Sequence, residues 1–225
     1  MNRTRIKICG VTRPQDAVAA ARFGADAIGM IFHETSRRSI SPDVARKIVS
    51  ALPPFVTPVA LFVDEDPQTV LDTAAALNIR TVQLHGDESP ADVSEMRGLT
   101  VLKALHVDAD TLSNTLAEWR VAIAEEDLLN LAAFVLDTKS DRPGGSGIEN
   151  DWSAICELQS EGDFKGLPPI IVAGGLKPDN VAKVVSEIHP WAVDVSSGVE
   201  SAIGQKAEEK IESFVNAVRE ADLRS

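Results

Sequence analysis

The sequence predicts a (β/α)8 barrel, and three observations carry that prediction. Eight short apolar runs are spread along 225 residues. Helix-patterned, amphipathic stretches separate them. The turn after the first run, CGVTRPQD, lacks the G-x-G-x-x-G fingerprint expected of the rival doubly wound open sheet. Strand then helix, repeated eight times at this length, is the pattern of a parallel barrel inside a ring of helices. No linker or low-complexity stretch divides the chain, so residues 1–225 read as a single barrel domain.

The strands are expected at 5–9 (RIKIC), 27–32 (AIGMIF), 57–63 (TPVALFV), 80–84 (RTVQL), 100–105 (TVLKAL), 132–137 (AAFVLD), 169–173 (PIIVA) and 192–197 (AVDVSS). The first helix, PQDAVAAARFGA, starts at Pro14 and is read with Val18, Ala21 and Ala25 on its buried face. The second takes Ser41 as N-cap and Pro42 as first helical residue. The third follows Asp66 and Pro67 and carries Val70, Ala74 and Leu77 on one row. The long connection 108–131 contains LAEWRVAIAEEDLL, read as the fifth helix with an extension. Cys156, beside Ile155 in WSAICELQ, reads as helix packing. KPDNVAKVVSEI and AEEKIESFVNAV supply the last two helices.

Composition narrows the function. At 44% hydrophobic residues the chain can bury a substantial core. A formal net charge of −12 argues against nucleic acid or an anionic membrane as partner. It leaves room for a small anion, because backbone N–H groups build anion sites locally. The opening MNRTRIKICG has no apolar signal core, and no run reaches membrane-spanning length, so a cytoplasmic protein with free thiols is expected. Two cysteines, Cys9 and Cys156, make a zinc cluster improbable, and no metal or cofactor motif appears. The oligomeric expectation is open between monomer and homodimer.

Alternation along the strands then places the polar residues. If Ile6 and Ile8 face the helices, Lys7 and Cys9 face the barrel interior. Likewise Val82 and Leu84 face out with Gln83 and His85 inside, and Val193 and Val195 face out with Asp194 and Ser196 inside. Asp137 closes its strand in phase with Val135, and Lys103 is read as another inward candidate. Polar groups in a barrel interior are costly unless paired or set at a mouth. Here they gather at strand C-terminal ends, where barrel active sites lie. Cys9 and Asp137 are the catalytic candidates. A satisfied Lys7–Asp194 plug is the plainer reading of that pair, as a structural histidine is of His85.

Two late loops are built from small residues: AGGLKPDNV, with Gly174 and Gly175, and SSGVES, with Ser196, Ser197 and Gly198. Loops after strands 7 and 8 are the usual phosphate site of this architecture, where successive N–H groups converge on an anion. GGSG at 144–147, including Gly145, adds a glycine-rich candidate cover. In barrel order, a phosphate there lies on the arc between strand 6, with Asp137, and strand 1, with Cys9. A sugar reaching inward would meet a carboxyl and a thiol, an arrangement for general acid–base catalysis.

With these motifs in place, KICGVT, GADAIGMIF, SRRSIS, VQLHGDE, LDTKSDRPGGSG, AGGL and AVDVSSGVE together resemble the phosphoribosylanthranilate isomerase family of tryptophan biosynthesis, from Lys7 to about Glu200. The resemblance implies an Amadori rearrangement of N-(5-phosphoribosyl)anthranilate to 1-(2-carboxyphenylamino)-1-deoxyribulose 5-phosphate, without a cofactor. It implies Cys9 as general base at ribose C2 and Asp137 as general acid at the ring oxygen. It assigns Arg38, the second arginine of SRRS, to the anthranilate carboxylate. His85 and Asp194 are candidates to touch the substrate. That chemistry asks the Cys9 thiol to be tuned toward thiolate and Asp137 to hold a proton near neutrality. The implied partner is a small phosphorylated aminosugar. The isomerase of histidine synthesis, or a bifunctional relative, is an alternative that Cys9 argues against, since the similar barrel reads there with an aspartate at the end of strand 1. A non-catalytic phosphosugar-binding barrel is the alternative from another class.

Overall fold

Every expected apolar run becomes a strand. The computed structural model describes residues 3–107, 111–126, 128–137 and 152–224. Its strands are β1 (Arg5–Ile8), β2 (Ala27–Ile31), β3 (Thr57–Phe62), β4 (Thr81–Leu84), β5 (Thr100–His106), β6 (Leu131–Asp137), β7 (Ile170–Ala173) and β8 (Ala192–Val195). They close into one barrel in chain order, every neighbouring pair parallel. The helices are α1 (Pro14–Phe23), α2 (Pro42–Ala51), α3 (Pro67–Leu77), α4 (Pro90–Glu95), α5 (Leu112–Glu126), α6 (Ser153–Glu161), α7 (Val181–Ile188) and α8 (Glu208–Arg224).

Local chemistry starts the early helices. Proline occupies the first turn of α1 through α4, where a missing N–H costs nothing. Ser41 caps α2 by accepting from Val44 N, and Asp66 caps α3 by accepting from Thr69 N. Ser89 and Asp92 form a reciprocal capping box on the short α4, an element the apolar pattern did not announce. On α1 the expected face is corrected. Val18 is exposed, and Ala17 and Ala20 are buried instead, so the helix approaches the barrel through its smallest side chains.

Two apolar layers result. Ile6, Ile8, Ile28, Val82, Leu84, Val193 and Val195 face the helices. Inside the barrel, Val59, Leu102, Ala104, Ala133, Val135, Ile171 and Ala192 form a separate cluster. The inward phase therefore holds for Lys7, Gln83 and Asp194, all buried. It fails for Lys103. Leu102 and Ala104 belong to the interior cluster and Val101 and Leu105 to the helix-facing one, so Lys103 points outward. There its Nζ donates to Glu88 and to the Gly86 carbonyl, both at 2.6 Å. Both faces of β5 are apolar, so alternation in the sequence could not choose its phase.

After β8 a 3-10 turn (Ser197–Val199) leads into a small antiparallel hairpin, β9 (Glu200–Ala202) and β10 (Gln205–Lys206), that no sequence pattern anticipated. No described helix is long and apolar enough to cross a membrane.

Candidate active site

The C-terminal ends of the strands surround a cavity of about 350 Å³. Cys9, His85, Asp137 and Asp194 line it, together with Gly174, Gly175, Ser196 and Ser197 from the last two loops. These residues come from β1, β4, β6, β7 and β8, and only closure of the barrel brings them together.

Cys9 follows β1, and its N–H still donates to Val195 of β8 at 2.8 Å, so the thiol is fixed at the barrel wall. Gly29 on β2 makes room for it. A Cβ at that position would sit 2.7 Å from Cys9 Sγ and 3.2 Å from Lys7 Nζ. The thiol and the ammonium therefore crowd the same point. Lys7 Nζ donates to Asp194 Oδ2 at 2.7 Å, and the two residues are register partners between β1 and β8. Burial pushes the Cys9 thiol up; the Lys7 charge pulls it down and that of Asp194 opposes Lys7, with burial prevailing. The expected tuning toward thiolate is thus reversed, because desolvation outweighs one cation. Burial likewise works against the Lys7 ammonium, yet Asp194 and Cys9 leave its pKa above the ordinary value.

Asp137 closes β6 in line with His106 of β5 on one side and Ala173 of β7 on the other. Its Oδ2 lies 3.1 Å from His85 Nε2, and His85 Nδ1 lies 2.8 Å from the Gln83 amide nitrogen. Burial raises the carboxyl, but the hydrogen bond and charge of His85, with smaller help from His106 and Lys7, carry it below the usual range. The expectation that Asp137 holds a proton near neutrality is corrected: its partner His85, just after β4, favours the anion.

Arg38 lies outside the lining of the cavity, and its fork is occupied. Nε and Nη2 donate to the two Glu200 oxygens, each at 2.7 Å. Glu200 also accepts from Lys206 Nζ at 3.0 Å and from Gly204 N at 3.2 Å. Burial opposes the Glu200 charge, but the bonds from Arg38 and Lys206 hold its carboxyl below the usual range. Sequence reasoning missed Glu200 and Lys206 as a pair, since their hairpin carries no apolar period. It also missed His106, whose ring meets His85 edge-on at 6.1 Å between centroids. The phase of β5, had it been legible, would have placed His106 with Leu102 and Ala104.

The late loops meet the spatial expectation. Gly174 and Gly175 both adopt left-handed backbone, φ 83° and 61°, which side-chain-bearing residues adopt only with strain. Asn180 pins the loop, accepting from Lys177 N at 2.9 Å and donating to the Gly175 carbonyl at 3.1 Å. A Cβ on Gly198 would lie 1.9 Å from the Leu176 carbonyl, so a glycine there lets the β7 and β8 loops touch. Gly198 itself is outside the cavity lining. Gly145 lies outside the described residues. Two buried oxygens, Asp194 Oδ1 and Gln83 Oε1, have no hydrogen-bond partner among the described residues. Both residues line the cavity. Buried unpaired acceptors are uncommon and suit a site awaiting hydroxyl or N–H donors.

Comparison with known proteins finds one family at the level of sequence and fold. The family model described as N-(5'phosphoribosyl)anthranilate (PRA) isomerase matches residues 6–217. The N-(5'-phosphoribosyl)anthranilate isomerase of Trichlorobacter lovleyi is 39% identical over 217 residues, spanning 96% of this chain and 98% of that protein. The crystal structure of phosphoribosyl anthranilate isomerase from Thermotoga maritima superposes with a TM-score of 0.83 at 36% identity, covering 96% of this chain and 99% of its own. A similar barrel, at 34% identity and TM-score 0.78 over 96% of this chain and 99% of its own, is a phosphoribosyl anthranilate isomerase in complex with reduced 1-(o-carboxyphenylamino)-1-deoxyribulose 5-phosphate.

Proposed function

The chain belongs to the N-(5'-phosphoribosyl)anthranilate isomerase family, an enzyme family of tryptophan biosynthesis, and from that premise we propose how its barrel mouth carries the isomerisation. The substrate phosphate sits against the Gly174–Gly175 and Ser196–Ser197 loops, whose backbone can approach it closely. The ribose then lies between Asp137 and Cys9. Asp137 gives a proton to the ring oxygen as the C1–O bond breaks and a C1=N iminium forms. Cys9 sulfur takes the proton from C2, leaving an enolamine. Return of the proton from sulfur to C1, with loss of the C2 hydroxyl proton that restores Asp137 through solvent, yields the 2-keto product. Atoms balance within the substrate, and the aldose carbon is reduced as its neighbour is oxidised. Each proton-transfer group of this kind contributes roughly 10² to 10⁴ in rate.

Asp194 Oδ1 is the acceptor proposed for a sugar hydroxyl, since it is buried and unpaired beside the thiol. Arg38 is proposed to meet the anthranilate carboxylate. Glu200 holds its Nε and Nη2 edge, which leaves Nη1 to turn toward the ligand. By these shifts the pair holds one proton, on sulfur; the working pair also holds one, on Asp137. The reactive form is therefore the minor arrangement of the same proton count.

The observation that carries this reading is the shared cavity: Cys9, Asp137 and the two small-residue loops line one space. The anthranilate fluorophore of the substrate supplies the test. Loss of its signal at a catalytic protein concentration is the expected outcome. Saturable binding without loss would make the barrel a phosphosugar binder instead.

A further inference from the structure

Gln83 is wholly buried, yet its side chain is only half engaged. The amide nitrogen faces His85 Nδ1 at 2.8 Å, while Oε1 is buried without a partner. A nitrogen that accepts from an amide N–H carries no proton, so this orientation puts the His85 proton on Nε2. That proton points at Asp137 Oδ2, 3.1 Å away, and keeps Asp137 a carboxylate. The terminal torsion of glutamine is broad and roughly two-fold, so the amide can turn over within the same space. Oε1 would then face Nδ1 and require a proton there.

We propose that Gln83 is a positioning residue for the reaction: the orientation of its amide selects which nitrogen of His85 is protonated, and so whether Asp137 meets the substrate as carboxylate or as carboxylic acid. The inference rests on the reading of Asp137 as the general acid. The step balances with one proton taken from solvent, matched by the one the Cys9 thiol gives up in the working arrangement, so the pair keeps its count. As the amide turns, Nδ1 gains that proton and hydrogen-bonds Oε1. The Nε2–H bond breaks, its proton forms the Oδ2–H bond, and bare Nε2 then accepts from the new acid. The Gln83 N–H groups move to the place Oε1 held, facing the cavity. A relay through Gln83 of β4 and His85 just after it thus sets the charge of a residue on β6, with β5 between the two strands. The other titratable groups facing this relay are Lys7 on β1 and Cys9 just after it, His33 after β2, His106 on β5 and Asp194 on β8.

Nitrogen-15 spectra of labelled histidine, read together with the pH profile of kcat/KM, test the proposal on the intact enzyme. Ligand-free wild type is expected to show the Nε2–H form of His85. Gln83→Glu has the same shape but only accepts, so it is expected to show Nδ1 protonated and to move the acid limb of kcat/KM toward neutrality by about one pH unit. Gln83→Met neither donates nor accepts. It is expected to show both tautomers and to lower kcat about tenfold with KM little changed. A wild-type spectrum with Nδ1 protonated, or a Gln83→Glu enzyme with the wild-type tautomer and pH profile, would overturn the proposal. Asp137→Asn in the same series reports separately on the acid. Near-normal turnover there sinks the acid assignment and leaves the tautomer result to be read on its own.

Discussion

Lys7 Nζ and Asp194 Oδ2 meet at 2.7 Å in the barrel interior, with side chains 3% and 7% exposed, beside the Cys9 thiol. Breaking such a pair on one side leaves a charge buried and alone, at a cost of about 3–5 kcal/mol. Lys7→Met is expected to lose about that much in urea unfolding. It also removes the cation that pulls the thiol toward ionisation, so the midpoint of Cys9 alkylation by iodoacetamide against pH should rise. An alkylation profile identical to wild type would show that Lys7 does not act on the sulfur.

The charge states of the two central groups set the pH dependence. The Asp137 carboxyl is depressed and the Cys9 thiol is elevated, so the one-proton state of the pair spans a wide interval. Activity should fall on the acid side only as Asp137 protonates, below the usual carboxylate range, and on the alkaline side as Cys9 ionises, above the usual thiol range. A broad plateau in kcat/KM is expected between them. Cys9→Ala and Asp137→Asn should each lower kcat at least a hundredfold, in line with roughly 10² to 10⁴ per proton-transfer group, with the circular dichroism spectrum unchanged.

Glu200 receives the Arg38 fork in a two-point contact that fixes where the guanidinium stands. Glu200→Gln keeps the size but loses the charge. It should raise KM about tenfold, the order of one charged hydrogen bond, while kcat stays close to wild type. Arg38→Ala should raise KM further. Steady-state kinetics on both variants decide this, and an unchanged kcat/KM for Arg38→Ala removes it from the site.

Contact between the two late loops depends on Gly198 lacking a side chain. Gly198→Ala drives a methyl into the Leu176 carbonyl and must displace one loop. The expected result is weaker phosphate binding, about tenfold or more by calorimetry with inorganic phosphate, since cradle N–H groups act only at close approach.

Lys103 and Glu88 form another buried pair, 2.6 Å apart with both side chains 3% exposed. Glu88 also accepts from Asp64 N and Gly86 N, tying the β3 and β4 loops together. Glu88→Ala is expected to cost about 3–5 kcal/mol in urea unfolding. The double variant Lys103→Met with Glu88→Gln should recover most of the loss, because no lone charge is left.

Much of the barrel was legible in the sequence, for local reasons. Strand alternation is short-ranged, so Ile6, Ile8, Val82, Leu84, Val193 and Val195 could be assigned to the helix side, and Lys7, Gln83 and Asp194 to the interior. Helix starts were readable because a cap residue and the proline after it act on their own backbone, as at Ser41–Pro42 and Asp66–Pro67. The strand ends that carry Cys9 and Asp137, and the glycine loops after β7 and β8, stood out because polar or flexible residues interrupt apolar runs there. The phase of β5 was not legible, since apolar residues occupy both of its faces, and Lys103 and His106 were misplaced or missed as a result.

The sequence by itself determined the order of strands and helices, the inward side of β1, β4 and β8 and the family to which the chain is similar, since each is written in neighbouring residues. Only the tertiary structure decided the protonation of the central pair, the partner of Arg38 and the chain from Gln83 through His85 to Asp137. Those depend on charges and hydrogen bonds between residues as far apart as Arg38 and Glu200. Electrostatic energy in a buried site depends on distance through space and on solvent exclusion. Neither quantity exists until the barrel has closed.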